Sequence, residues 1–318
     1  MFLTTPSAPQ RNGTIFLLAQ PPLLWRRGVR TSFCIPLLQR RGGRGINKMV
    51  RSHLGRRGRG GQIYYWHMPD DPFLSWFEAV ERRHLSDLTF QEVRRAVQAL
   101  SSSYVERREK LATGDPLSGA GKRAAFGMFF APLHFLLVRE IVRNLKARLP
   151  KGTSILDLGC GTGVAGAAWA LEANSCPKVL GVDQNTRVLQ ECKWNYSQLG
   201  INGVTKCADL EIFRMPRESA IIAAFTLNEL SSGVRERYLQ QFFKLSQAGF
   251  PILVIEPIAR RLVRWWDDWT EAWTAAGGRA DNWRFRIDLP ERLALMDRAA
   301  GLDHRELTGR SLWLPGSA

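Results

Sequence analysis

Between residues 154 and 256 the chain alternates short, nearly continuous apolar runs with longer stretches whose apolar positions return every three or four residues. Runs of the first kind suit strands covered on both faces, and the second pattern suits helices with one covered face. Strands are expected over 154–158, 179–182, 204–207, 220–225 and 252–255, and helices over 164–173, 187–199 and 234–245. The tail, 305–308 and 311–314 around Gly309 and Arg310, reads as a closing hairpin. Repeating βα units of this kind imply an α/β fold, a doubly wound, mostly parallel seven-stranded sheet with helices on both faces.

Upstream of the sheet the period is helical. Phe73, Leu74, Trp76, Phe77 and Val80 can line one short helix. Thr89-Phe90-Gln91-Glu92 is a capping-box pattern that opens a second helix running to about Leu111. A loop rich in Gly, Ser and Pro covers 113–121, and apolar residues at helical spacing follow over 133–149 until Pro150-Lys151-Gly152 closes them. Residues 68–150 are therefore expected to form a helical lead-in or cap, and 151–318 the sheet domain.

Charge changes the picture only at the front of the chain. The net charge is +16, and residues 1–67 supply twelve of those charges, having twelve Lys and Arg and no acid. The remaining +4 is close to neutral, so the high isoelectric point says little about the folded body. This Gly/Arg-rich stretch has no sustained period. It reads as a disordered extension, with the natural start at Met68 or Met49, although a nucleic-acid-binding arm or a transit peptide would share its arginines. Five cysteines without a Cys-x-x-Cys pair argue against disulfides and a zinc site and suggest a reducing, cytoplasmic setting. No metal site is expected. The apolar stretch 124–138 is too short for a membrane span, so no membrane partner is expected. The oligomeric state is not encoded in these features.

The candidate chemistry lies where two strands end on carboxylates. Residues 155–163 read Ile-Leu-Asp-Leu-Gly-Cys-Gly-Thr-Gly, and the next strand ends at Asp183. Gly161, Gly163 and Gly166 also fit the spacing of a dinucleotide fingerprint, with Asp183 about 20 residues beyond. Asp157 decides against that rival: a carboxylate just before the glycine turn repels a diphosphate, but it suits a ligand with an amino group and no phosphate. The Asp-x-Gly-x-Gly-x-Gly string resembles the cofactor loop of class I S-adenosylmethionine-dependent methyltransferases, whose fold is Rossmann-like, and the likeness extends from about Lys122 onward. The resemblance implies S-adenosyl-L-methionine as cofactor. It sets the backbone of Gly159, Cys160, Gly161 and Gly163 against the methionine part, Asp157 near its amino group, Asp183 on the ribose hydroxyls, and Gln184 and Asp209 at the adenine.

The acceptor is less legible. Thr226-Leu227-Asn228-Glu229 follows the fourth strand and Glu256-Pro257 the fifth. With their neighbours these stretches resemble the Rsm22-like family, methyltransferase-like proteins linked to the small ribosomal subunit. Here Ile258 stands where that family has Gly, and the cysteine set some members use for an iron–sulfur cluster is missing. The resemblance implies an RNA or ribosome-associated methyl acceptor, with a small metabolite as the next reading. Asn228 is a candidate to orient the acceptor, and Glu229 and Glu256 are candidate general bases. A non-catalytic assembly factor with the same fold and a nicotinamide-dependent oxidoreductase are readings from other classes. Trp265, Trp269 and Trp273 recur every four residues beside Trp266 and read as a buried helix face; Arg260, Arg261 and Arg264 read as anion contacts or as a solvated helix start. His134 reads as structural.

Overall fold

The computed structural model describes residues 71–106, 119–173, 175–258, 263, 265–302 and 304–316. The arginine-rich stretch 1–67, with its alternative starts, and Arg260, Arg261 and Arg264 lie outside the described residues.

Seven strands among those residues form one sheet: β1 (Ser154–Leu158), β2 (Val179–Asp183), β3 (Gly203–Cys207), β4 (Ser219–Ala224), β5 (Ile252–Glu256), β6 (Arg279–Phe285) and β7 (Leu307–Leu314). Their order is β3-β2-β1-β4-β5-β7-β6. The first five strands run parallel, and β7 is antiparallel to both β5 and β6. The strand order reverses between β1 and β4, which opens a crevice at their carboxyl ends.

The expected hairpin around Gly309 and Arg310 is corrected here. Those residues lie inside the unbroken strand β7, where Gly309 stands opposite Trp283 and Arg310 opposite both Glu256 and Asn282. Gly309 serves close packing instead of a turn, since a Cβ there would stand 3.2 Å from Leu137 Cδ2. Its partner β6 was not anticipated. The sequence Arg-Ala-Asp-Asn-Trp-Arg-Phe is mostly polar because an edge strand keeps one face in water.

On one face of the sheet lie α1 (Pro72–His84), α2 (Phe90–Glu106), α3 (Ala120–Leu145), α4 (Val164–Glu172), α5 (Thr186–Gln198) and α8 (Glu291–Ala299), and their buried residues share one core. The opposite face is covered by α6 (Ser232–Gln247) and α7 (Trp266–Ala275). Trp269 and Trp273 stack at 5.8 Å and are buried, in keeping with a covered helix face. The capping box at the start of α2 is made reciprocally: Thr89 donates its N–H to Glu92 Oε2 at 2.8 Å, and Glu92 donates its N–H to Thr89 Oγ1 at 3.3 Å.

Helix α3 differs from expectation at both ends. It starts at Ala120, inside the expected loop, and stops at Lys146, whose φ of 51° ends it ahead of the expected close at Leu149. Gly121, Gly127 and Pro132 read as breakers in the sequence, yet the helix absorbs them by widening into a π turn over Phe126–Phe130. That turn ends two residues before Pro132, which has no N–H to donate and whose ring crowds the preceding carbonyls. By length and hydropathy α3 could cross a membrane, but 94% of its most apolar window is buried, and it is the central core helix.

Candidate functional site

Three glycines turn the chain from β1 into α4. Gly159, Gly161 and Gly163 all take positive φ, at 62°, 52° and 80°. Two of them do different work. A Cβ on Gly163 would meet Cys192 Sγ at 2.5 Å and Tyr196 at 2.7 Å, so α5 can approach only because that side chain is absent. A Cβ on Gly161 would meet nothing within 4 Å, which leaves its backbone open to a ligand.

Both strand-ending carboxylates meet at this loop. Asp157 is buried, and its Oδ2 accepts the Gly166 N–H at 2.9 Å. Burial pushes its pKa up to about 7, opposed by the Gly166 hydrogen bond and assisted by the nearby Asp183 charge. Asp183 is likewise buried. Its Oδ1 accepts the Asn185 N–H at 2.8 Å and its Oδ2 the Gly161 N–H at 3.1 Å, while burial raises its pKa to about 6. Of these two buried carboxylates on adjacent strand ends, Asp157 lines the cleft beside the loop, and no Lys or Arg stands among that cleft's described lining residues. An amino group and a vicinal diol are the partners that fit them, so the residues suit the amino-acid end and ribose of S-adenosylmethionine. Cys160 lines this cleft, and its Sγ stands 3.9 Å from Cys192 Sγ. Gln184 is half-buried just beyond Asp183. Asp209 is exposed, and its Oδ1 accepts the Glu211 N–H at 2.8 Å, a turn contact within its own loop.

On the acceptor side, the expected residues separate. Asn228 and Glu229 form a 3-10 turn over Leu227–Glu229 and are half-buried. Glu256 is 1% exposed, and its Oε1 accepts the Asn228 N–H at 3.3 Å. Burial raises its pKa to about 8, against the lowering effects of that N–H and of Arg310. Neither Glu229 nor Glu256 lines the cleft at the glycine loop. Sequence reasoning instead missed the aromatic wall of that cleft: Phe126 from the π turn, His134 from α3 and Phe225 after β4. The His134 and Phe225 rings lie 4.8 Å apart. Phe225 takes a φ of 59°, rare for an aromatic residue and costing on the order of 1–3 kcal/mol. Thr226 holds that bend in place, donating its hydroxyl towards Leu158 O at 2.9 Å. A sequence signal was faint: an aromatic residue and a β-branched hydroxyl directly after an apolar strand.

S-adenosylmethionine bound at this cleft would supply an electrophilic methyl group, and the residues that would hold it are Asp157 and the glycine loop. Transfer of that group by in-line displacement draws much of its acceleration from positioning.

Residues 149–275 match the family model of a methyltransferase domain. Among solved structures the chain is similar to an S-adenosylmethionine-dependent methyltransferase of Aquifex aeolicus, at 15% identity and a TM-score of 0.40, covering 58% of this chain and 93% of that one. It is similar to a precorrin-6y C5,15-methyltransferase of Geobacter metallireducens at 13% identity and a TM-score of 0.38, over 56% and 88% of the two chains. A tRNA (uracil-54, C5)-methyltransferase of Pyrococcus abyssi, solved with S-adenosyl-L-homocysteine, aligns at 14% identity and a TM-score of 0.37, over 59% of this chain and 38% of that one. The domain match over residues 149–275 agrees with the paired carboxylates and the glycine loop: this part of the chain is similar to a methyltransferase domain, and its residues suit S-adenosylmethionine as the donor.

Proposed function

We propose that this enzyme methylates ribosomal RNA or a ribosome-associated acceptor in the cytoplasm. The observation that carries this reading is the Asn228–Glu256 hydrogen bond of 3.3 Å. It joins the two stretches behind the Rsm22-like resemblance into one corner where β4 and β5 end. A nucleobase reaching the donor would have to leave its stack, and the flat faces of Phe126, His134 and Phe225 suit an extruded base. Arg235 over Trp265, at 5.8 Å, adds a cation and an aromatic ring in the segment that follows this corner, a pairing that suits nucleic acid.

A small flat metabolite is the second reading, favoured by the enclosure of the same three rings, each at most 6% exposed. Incubating the protein with labelled donor, purified small ribosomal subunits and, separately, the metabolite fraction distinguishes the two. Label in subunit RNA or protein is the expected outcome; label confined to the metabolites overturns the ribosomal reading.

A further inference from the structure

The glycine loop is held at its middle by a helix outside the sheet. Gly161 is tied to β2 through Asp183 Oδ2 at 3.1 Å, and Gly163 closes back on Cys160 O at 2.7 Å. Between them Thr162 is buried and lines the cleft. Its hydroxyl has no hydrogen-bond partner among the described residues, so it is the backbone of Thr162 that the neighbouring helix grips. The Thr162 carbonyl accepts a hydrogen bond from Asn195 Nδ2, on α5, at 2.9 Å.

Asn195 is itself fixed from a third element. Its Oδ1 accepts the indole N–H of Trp76, on α1, at 2.9 Å, and both bonds of this amide are buried. An indole N–H only donates and a peptide carbonyl only accepts, so the amide between them has a single orientation. Breaking either bond leaves a buried polar group unpaired, which ties the fate of the three groups together. Trp76 is held in turn by packing: its ring lies against Phe73 and against Phe135 of α3, each at a centroid distance of 5.7 Å. A second cross-link stands beside the first. Arg83, seven residues beyond Trp76, makes hydrogen bonds of 2.8 and 2.9 Å to Glu191, and its guanidinium lies 4.4 Å over the Trp194 ring. Glu191 and Asn195 are four residues apart, so α1 meets one face of α5 at both points. The inner contact alone continues to the loop.

We propose that Trp76 and Asn195 are positioning residues for donor binding, setting the cofactor loop through the Thr162 carbonyl and so making the helical lead-in part of the donor site. The proposal rests on S-adenosylmethionine being the donor. The effect falls on the methionine end, because Thr162 shares the cleft with Asp157, whose charge suits the amino group. Asp183, which suits the ribose, is anchored separately by the Gly161 and Asn185 N–H groups. By reciprocity, a donor that needs the loop in this form also holds α1 in place.

Titration calorimetry on the full chain compares S-adenosylhomocysteine with 5′-methylthioadenosine, which lacks the amino-acid part. Two variants each remove one bond. Asn195→Asp keeps an acceptor for Trp76 but has no N–H for Thr162; Trp76→Phe keeps a ring but has no N–H for Asn195. Each should weaken S-adenosylhomocysteine roughly tenfold and change 5′-methylthioadenosine by less than about twofold. Equal weakening of both ligands, the mark of a general loss of packing, overturns the proposal, and so does unchanged affinity for both. Hydrogen exchange on wild-type protein tests it without any variant. Added S-adenosylhomocysteine should slow exchange over residues 72–84 as well as over 159–163. Protection confined to the loop overturns the proposal. Wild-type protein that binds neither ligand would overturn the donor assignment, whereas wild-type binding that both variants leave intact would overturn the positioning role alone.

Discussion

Gly161 donates its backbone N–H to Asp183 Oδ2 at 3.1 Å, so the carboxylate that ends β2 also holds the loop that follows β1. Its other oxygen holds Asn185 at the start of α5. Asp183→Ala removes both anchors, together with the carboxylate expected to accept the ribose hydroxyls. Hydrogen bonds to a charged partner are worth about 1.5–3 kcal/mol each. Calorimetry should show donor affinity falling at least tenfold, with a lower unfolding temperature. A lower unfolding temperature with unchanged affinity would leave Asp183 a loop anchor and nothing more.

The same burial makes the site sensitive to pH. An unfolded Asp titrates near 4, whereas folded Asp157 and Asp183 titrate at about 7 and about 6. Between those limits the folded chain holds protons that the unfolded chain has released, so stability is greatest at the acid end of the window and falls as pH rises through 7. Glu256, raised to about 8, extends the decline. Donor binding runs the other way. An ammonium favours ionised Asp157, so affinity should increase from pH 6 to pH 8, with proton release visible as a buffer-dependent binding enthalpy. A flat affinity across that range would separate Asp157 from the donor's amino group.

Glu256 accepts the Asn228 N–H and so clamps the turn at Leu227–Glu229, a structural role that can be set against the general-base role expected of it. Raised to about 8, it is mainly protonated at neutral pH, and Gln copies the protonated form. Glu256→Gln keeps an oxygen for the Asn228 N–H and should hold the unfolding free energy to within about 1 kcal/mol. Glu256→Ala leaves that N–H without its acceptor and empties a buried space, and should cost about 1–3 kcal/mol. Thermal unfolding of the two variants checks this. Should Glu256→Gln fold, bind donor and fail to transfer methyl groups, the proton-acceptor role would be restored to it.

The contrast between Asp157 and Glu256 marks how much of the site the sequence carried. Both end an apolar strand, and strand ends are legible from periodicity. Which way an end residue points depends on the pleat and the neighbouring strand, so only the Asp157 carboxylate could be given a place, from the glycines that follow it. The aromatic wall was illegible because Phe126, His134 and Phe225 come from separate elements, and their meeting depends on a π turn and on the left-handed Phe225. Strand β6 was hidden by its polar edge composition, and without it Gly309 passed for a turn. The Trp269–Trp273 face, a local period on one helix, was readable outright.

Gly166 sets local propensity against packing. It lies in α4, where replacing Gly by Ala ordinarily stabilises a helix by up to about 1 kcal/mol. Here the new Cβ would stand 2.7 Å from Asp157 Oδ2 and 3.1 Å from both Asp157 Cβ and Val179 Cγ1. Asp157 cannot swing aside freely, since its Oδ2 is the acceptor for the N–H of Gly166 itself. Overpacking of this kind typically costs 1–3 kcal/mol, which exceeds the gain in propensity. Gly166→Ala should therefore lower stability and, by shifting Asp157, weaken the donor by roughly tenfold. Gly121→Ala is the matched control: also in a helix, it would meet only Ala96 Cβ at 3.6 Å. It should leave stability equal or slightly higher and donor affinity unchanged. Thermal unfolding and calorimetry on the pair decide the matter, because propensity alone predicts the same sign for both and contact with Asp157 predicts opposite signs.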